Sequence, residues 1–369
     1  MIKSINYYLN VIILSLIVGC SGSNQTIRDT QCDPQGPFLY LEQCAIEGDI
    51  SSQYNLAVRY MDGLNAPKDL KQAFYWMEQA AKNGDIRAQS DLGLLYYNGW
   101  GIYKDYKKAF EWTQKAAEQG SVPANNNMGF FYSHGVGVSV DWKKGAEYYQ
   151  LAANQGYIDA YQNLSTMYFS GKGVDIDINK ALEFAKRAAE GGGNQMAIYN
   201  LGTIYSLIGK TEDAIFWLRK AAELNMAVGQ AELAGVLAPI AKTEAEKQEA
   251  KQWLEKALAQ NDPYAYTVAG VLYSEKNNVF PINEKKAYEY YKKAAELGEE
   301  KSQTILASWY WEGRYVPKDE ITAVEWFERA ANNGEIKAAK KLVEIYGQGS
   351  KNIPKNEVRK QYWQDKLSE

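Results

Sequence analysis

The chain has 369 residues, with 41 Lys and Arg against 45 Asp and Glu, for a net charge of −4. That near balance, without a dense Lys/Arg cluster or a basic stripe, argues against nucleic acid as a partner. Its length alone would suggest about two or three domains, but the 28 Tyr and 10 Trp fall largely on a regular grid, which points to one array of repeats.

The first residues form a distinct segment. Lys3 supplies a positive start, and Val11 to Val18 is apolar apart from Ser15. The run is too short for an ordinary spanning helix but suits the apolar core of a signal peptide. It ends in Ile17-Val18-Gly19-Cys20, followed by the polar stretch Ser21 to Gln25. This resembles a bacterial lipobox, although Ile17 and Val18 replace the commoner Leu and small residue. The plain alternative is a secretory peptide with a chance Cys. The resemblance implies cleavage of residues 1–19, a lipid on Cys20 and a membrane anchor in the cell envelope. By analogy with Gram-negative lipoproteins, Ser21 favours the outer membrane, with the protein facing the periplasm.

Residues 20–36 read as a polar linker with Pro34 and Gly36. If Cys20 carries lipid, Cys32 and Cys44 remain as an even pair. In an oxidising compartment they can close a short loop onto the first helix; alternatively Cys44 fills a small buried slot as a free thiol. Residues 38–47 then form a lone capping helix, since the end of a repeat array needs an atypical outer face.

From there an Ala-Ala pair recurs, beginning at Ala80, Ala116, Ala152, Ala188, Ala221, Ala294 and Ala330, with Cys44-Ala45 and Ala257-Leu258 in two further slots. Successive steps are 36, 36, 36, 36, 33, 36, 37 and 36 residues. Four positions before each mark stands an aromatic: Tyr40, Trp76, Trp112, Tyr148, Phe184, Trp217, Trp253, Tyr290 and Trp326. Each unit reads as two helices. In residues 87–120, Ala88, Leu92 and Tyr96 share a face of the first, and Ala109, Trp112 and Ala116 share a face of the second. The aromatic is expected to be core, filling space beside the small pair.

Asp69, Asp105, Asp141, Asp177 and Asp319 stand where the second helix needs an N-cap, with Asn283 and Asn356 substituting. Gly84, Gly120, Gly156, Gly298 and Gly334 stand at its stop. The copy at 195–225 is short and lacks the Gly-x-Gly turn. The next carries Pro239 and a charged linker, Lys242 to Lys251, into its second helix. A local change of twist is expected near 207–250, either a hinge or altered curvature.

Residues 88–120, with His134-Gly135-Val136-Gly137-Val138 before Asp141 and Ser170-Gly171-Lys172-Gly173-Val174 before Asp177, resemble the Sel-one-like repeat, a relative of the tetratricopeptide repeat. The resemblance covers residues 37–369 as about nine helix-turn-helix repeats. It implies an all-α, right-handed α/α superhelical solenoid whose first helices line a concave face. It also implies a protein-binding role without catalysis. Some bacterial members are lipoproteins, and several are immunity proteins against phospholipase effectors of the type VI secretion system. A cell-envelope scaffold or regulator of envelope enzymes is the alternative, and a hydrolase a remote one. The chain departs from the members that carry a Cys pair in every repeat.

Candidate chemistry is sparse. His134, the sole His, sits in a repeat turn and reads as a tolerated polar residue. One His without a CxxC spacing argues against a metal site, and the Gly-x-Gly turns follow helices, so no nucleotide cofactor is expected. By the tetratricopeptide analogy, the positions facing a partner are Tyr54, Met61, Arg87, Ser90, Leu94, Tyr97, Asn98, Asn126, Phe130, His134, Gln162, Phe169, Tyr199, Tyr264, Thr304 and Trp311. Aromatics interleaved with polar groups suit protein recognition; the alternative for each ring is packing against the adjacent unit.

Overall fold

The computed structural model describes residues 32–33, 36–64, 67–192 and 194–368. The expected signal segment, Cys20 and most of the expected linker lie outside them. The described residues contain nineteen α-helices and no strand. A lone helix, α1 (Phe38–Ile46), precedes nine pairs. They begin with α2 (Ile50–Asp62) and α3 (Leu70–Lys82), α4 (Ile86–Asn98) and α5 (Tyr106–Glu118), and α6 (Val122–His134) and α7 (Trp142–Asn154). Next come α8 (Ile158–Ser170) and α9 (Ile178–Glu190), α10 (Gln195–Leu207) and α11 (Thr211–Glu223), and α12 (Ala227–Leu237) and α13 (Glu244–Ala259). The series ends with α14 (Pro263–Ser274) and α15 (Glu284–Glu296), α16 (Glu300–Glu312) and α17 (Glu320–Asn332), and α18 (Ile336–Gln348) and α19 (Glu357–Ser368). The helices group into two compact units divided at Ala116, inside α5. In the first, Cys32 and Cys44 form a disulfide with a Cα–Cα distance of 6.1 Å, fastening the chain before α1 to that helix.

The caps form as the residue types dictate. Asp105, Asp141 and Asp177 each accept the backbone N–H three residues on, at 3.0 Å. Asn283 and Asn356 do the same. The backbone N–H of each cap in turn donates to a first-helix Tyr carbonyl, as Asp141 does to Tyr132 and Asp177 to Tyr168. The Lys of Asp-x-x-Lys then lies over that Tyr ring: Lys108 over Tyr96, Lys144 over Tyr132, Lys180 over Tyr168 and Lys286 over Tyr273, all 4.9–5.3 Å from the centroid. The motif therefore clamps the two helices of one pair together through a cap and a cation–π contact. The Gly-x-Gly turn seats on the preceding pair. A Cβ at Gly101 would fall 1.9 Å from the Leu70 carbonyl oxygen, and one at Gly173 would fall 2.2 Å from that of Trp142. Both glycines also have φ near +75°, which disfavours any L side chain.

The Ala-Ala pair ends each second helix by giving up its two carbonyls. That of Ala80 accepts from the Asp85 N–H, and that of Ala81 accepts from the Gln89 side chain of the next helix. Gln53, Gln230 and Gln303 make the same bond to Ala45, Ala222 and Ala295, at 3.0–3.2 Å. In the irregular copies Asn225 and Asn261 replace the stop glycine, with φ of 61° and 54°, a conformation Asn tolerates better than most residues. Gln303 is buried; the Ala295 carbonyl keeps the Gly298 N–H at 3.1 Å, so Gln303→Ala removes one of its two bonds and should cost about 0.5–1.5 kcal/mol. Urea unfolding measures this, and an unchanged midpoint would mean that the bond contributes nothing.

The register of the core differs from the expected one. Trp76, Phe184 and Trp217 of the aromatic column are buried, but Tyr40, Trp112, Tyr148, Trp253, Tyr290 and Trp326 are only half-buried. The column facing inward is one residue later: Leu41, Met77, Thr113, Tyr149, Ala185, Leu218, Leu254, Tyr291 and Phe327, none more than 3% exposed. Many of the grid rings lie on the shoulder, where a cation covers the face: Lys115 over Trp112 and Lys256 over Trp253 at 4.1 Å, Arg329 over Trp326 at 4.6 Å. Facing the inner column is a small residue of the paired first helix. A Cβ at Gly129 would meet the Tyr149 ring at 2.6 Å, and one at Gly270 the Tyr291 ring at 2.5 Å.

The irregular stretch departs from expectation too. Glu244 to Lys251, read as a charged linker, forms the first turns of the sixteen-residue α13, opened by a capping box between Thr243 and Glu246. The charges lie mostly on a solvated helical surface, and the true connection is the turn at 238–243. α12 packs directly on α14 to an extent the regular pairs do not show. Asn278 pins the region from the next copy. Its N–H donates to the Ala238 carbonyl at 3.1 Å, and its side chain to that of Pro239 at 2.7 Å.

Candidate functional site: the first-helix face

The expected site residues lie on first helices, and each unit arranges them separately. In the first unit Tyr54 of α2 donates its hydroxyl to Asp91 of α4 at 3.0 Å. The Arg87 guanidinium sits 4.2 Å from the Tyr54 ring centroid and pairs with Asp85 at 2.6 Å. Burial, then the charge and hydrogen bond of Asp91, push the Tyr54 phenol up to about 12, so it stays a donor at neutral pH. Tyr97 packs on Tyr106, with centroids 5.7 Å apart. The Asn98 side chain turns back to the Leu94 carbonyl at 3.0 Å. Ser90, expected on the partner-facing surface, is buried, as are its neighbours Ala88, Gln89, Leu92 and Gly93 on the packed side of α4.

Asp91 was not expected. Burial raises its carboxyl above the ordinary carboxylate range. It therefore binds a proton more readily folded than unfolded, and its charge disfavours the folded unit at neutral pH. Asp91→Asn should raise the melting temperature at pH 7, and the gain should shrink as both proteins are acidified through the folded pKa of Asp91. A gain that is independent of pH would remove the electrostatic explanation.

In the second unit α6 to α10 form one stretch of the face. Asn163 donates to Asn126 across one repeat, at 3.1 Å. Phe130 stacks on His134 with centroids 4.2 Å apart. His134 Nδ1 lies 3.0 Å from the Phe130 carbonyl, which can only accept, so this nitrogen carries the proton. The imidazole is thus committed to its own helix. Gln162 and Phe169 line a cavity of about 170 Å³ with Thr166, Thr203, Ile204 and Leu207. This cavity is chiefly apolar, and Asn200 stands at its wall.

A second cavity, about 520 Å³, opens beside α12, α14 and α16. Val236, Pro239, Ile240, Val268, Val271 and Leu272 supply apolar wall, and Glu232 and Lys301 supply charge. Tyr264 donates to the Glu232 carboxylate, with Tyr199 beside it. Burial, then the Glu232 charge, hold the Tyr264 phenol far above its ordinary value, so it remains a donor. Gly235 of the short α12 lines the cavity, and a Cβ there would meet only the Val268 side chain, at 3.6 Å. Trp311, farther along, packs against the core of the last pairs and lies between Lys318 and Lys341, at 5.6 and 5.8 Å.

Sequence reasoning missed Asp91, Asn127, Asn163, Asn200 and Glu232. They occupy one column, with Asn55, at steps of 36, 36, 36, 37 and 32 residues, one residue after the column that holds Tyr54, Asn126, Gln162 and Tyr199. The spacing was present to be read. Among the described residues no group of three His, Cys, Asp or Glu could share a metal ion, and no helix is long and apolar enough to cross a membrane.

Residues 50–85, 86–121, 122–157, 158–193, 195–226, 230–262, 263–299 and 301–335 each match the Sel1 repeat. Among solved structures, a protective antigen of uropathogenic Escherichia coli with an SLR fold is 32% identical. The alignment covers 90% of this chain and 71% of the antigen, with a TM-score of 0.59. A Sel1 repeat protein of Oxalobacter formigenes is 28% identical over 84% of this chain and 79% of its own, with a TM-score of 0.44. An immunity protein of Pseudomonas aeruginosa is 17% identical over 67% of this chain and 81% of its own, with a TM-score of 0.40. No curated protein sequence matches the chain significantly.

Proposed function

The chain belongs to the Sel1 repeat family, and from that premise we propose that it is an exported, lipid-anchored protein that binds a partner protein on its first-helix face. The Sel1 repeat array is a scaffold suited to protein interaction. The observation that carries the reading is the face of α8 to α16. There, open cavities of about 170 and 520 Å³ adjoin half-buried Tyr, Asn and Gln side chains in place of a closed core. Such concave, mostly apolar surface with a few placed polar groups is where binding energy concentrates.

The finer reading is an immunity protein. The partner is then a phospholipase effector delivered by type VI secretion, which the chain neutralises by stoichiometric binding at the outer membrane, facing the periplasm. It is supported by the lipobox-like run ending at Cys20 together with the repeat family. Cys20→Ser should shift the protein from the membrane fraction to the soluble fraction. Deletion of the gene should sensitise cells to an effector encoded nearby, and the purified protein should inhibit that enzyme at equimolar ratio. A deletion strain with no added sensitivity, and a membrane pull-down that recovers only resident cell-wall enzymes, would sink the immunity reading and support an envelope scaffold.

A further inference from the structure

On the premise that this face binds protein, we propose that α6, α8 and α10 hold an extended peptide segment of the partner by its main chain, with one large apolar side chain seated in the cavity beside Phe169. Three observations carry this. Asn127, Asn163 and Asn200 occupy the same position of three successive first helices. Asn is a poor choice for the middle of a helix, because its side chain competes for backbone groups. On a merely solvated surface Lys, Glu or Gln would serve better. Elsewhere in the chain such Asn residues satisfy themselves locally, as Asn55 does on the Ser51 carbonyl at 2.7 Å and Asn98 on that of Leu94.

Asn127 and Asn200 do neither. Both are half-buried, and neither side chain makes a hydrogen bond among the described residues. A carboxamide offers a donor and an acceptor in one plane, the same pair that a peptide unit presents. Charged residues would match only one of the two. Asn163, between them, bonds Asn126 across one repeat at 3.1 Å, so neighbouring columns lie within a side chain's reach. A single extended segment can therefore meet successive carboxamides.

The cavity fixes the third element. Its volume of about 170 Å³ is bounded by Phe169, Ile204, Leu207, Thr166 and Thr203, and its lining is chiefly apolar. An apolar cavity of roughly 150 Å³ accepts a benzene ring, so this one accepts a Phe, Leu or Met side chain. Asn200 stands at its wall, which places a main-chain bond next to the seated residue.

The test uses a phage-displayed library of random linear peptides against the purified full chain, followed by synthesis of the enriched sequence. We expect a recurring Phe, Leu or Met with tolerant neighbours. N-methylation of the peptide bonds flanking that residue should weaken binding about tenfold or more, as loss of a buried hydrogen bond does. Asn127→Ala and Asn200→Ala should each weaken binding similarly with unchanged melting temperatures, while Asn98→Ala should not. Because N-methylation leaves the protein untouched, it tests the idea even where a variant misfolds. Binding indifferent to N-methylation and to both Asn variants overturns the proposal. So does failure to enrich any linear peptide while the folded partner protein is still retained; that result spares the binding function. Failure to retain any partner protein at all would instead remove the premise.

Discussion

Tyr291→Ala should destabilise the second unit by about 3–5 kcal/mol, the usual loss for a large buried ring, while Tyr290→Ala, one residue earlier, should cost about 1–2 kcal/mol. Tyr291 is 3% exposed. It meets Trp309 edge-on with centroids 5.6 Å apart, and its hydroxyl bonds the Ser274 hydroxyl at 3.1 Å. Removing it opens a cavity between two pairs of helices. Tyr290 belongs to the aromatic grid four positions before Ala294, yet it is half-buried and gains chiefly from stacking on Tyr266 and Tyr273, at 6.2 and 5.8 Å. Urea unfolding of the two variants, followed by circular dichroism, decides between the columns. Equal losses, or a larger one at Tyr290, would show that the aromatic grid is the core after all.

The second large effect changes sign with its background. Ala is a better helix former than Gly by about 1 kcal/mol, so a helical Gly in free space invites Gly→Ala stabilisation. Gly129 has no free space: its Cβ would lie 2.6 Å from the Tyr149 ring, which is itself buried. Gly129→Ala should therefore cost about 1–3 kcal/mol by overpacking. With Tyr149→Ala already in place the clash is gone, and the same change should stabilise by up to about 1 kcal/mol. A double-mutant cycle on the four proteins reads the coupling directly. Additive losses would mean that the ring moves aside freely and that the small residue is not required by its neighbour.

The two experiments address one structural fact, the complementarity between a small first-helix residue and the inner column of the second helix. Gly129 with Tyr149 and Gly270 with Tyr291 show it with the largest partners. The sequence shows both members, and a Gly inside a first helix, as in Leu92-Gly93 and Leu201-Gly202, indicates close approach. Sequence spacing could not show which second-helix residue comes closest. Adjacent residues on a helix differ by about 100°, and each second helix packs both against its pair and against the next first helix. The inward direction is a compromise between two contacts, and a ring one step off can remain useful by covering the shoulder beneath a Lys.

The candidate site was legible in the same partial way. Gln162, Phe169, Tyr199 and Tyr264 do line or adjoin the two cavities. Phe130 and His134 instead stack on one another. Tyr54 is held by Asp91, and Trp311 lies between two lysines. The column of Asn127, Asn163 and Asn200 went unread because mid-helix Asn looks like ordinary surface until its bonds are known.

Sequence alone determined the period, the two helices of each unit, the caps of the second helices and their stops. These follow from needs met within a few residues: a free N–H requires an Asp or Asn three positions back, and a left-handed stop requires Gly or, in the irregular copies, Asn. Tertiary structure decided which of two neighbouring columns is core and which carboxamides stay unpaired. It also decided that a cavity opens beside α12, α14 and α16, and that the charged run 244–251 is helix. Those properties depend on distances between residues about one repeat apart, where packing chooses among faces that the local pattern leaves equivalent.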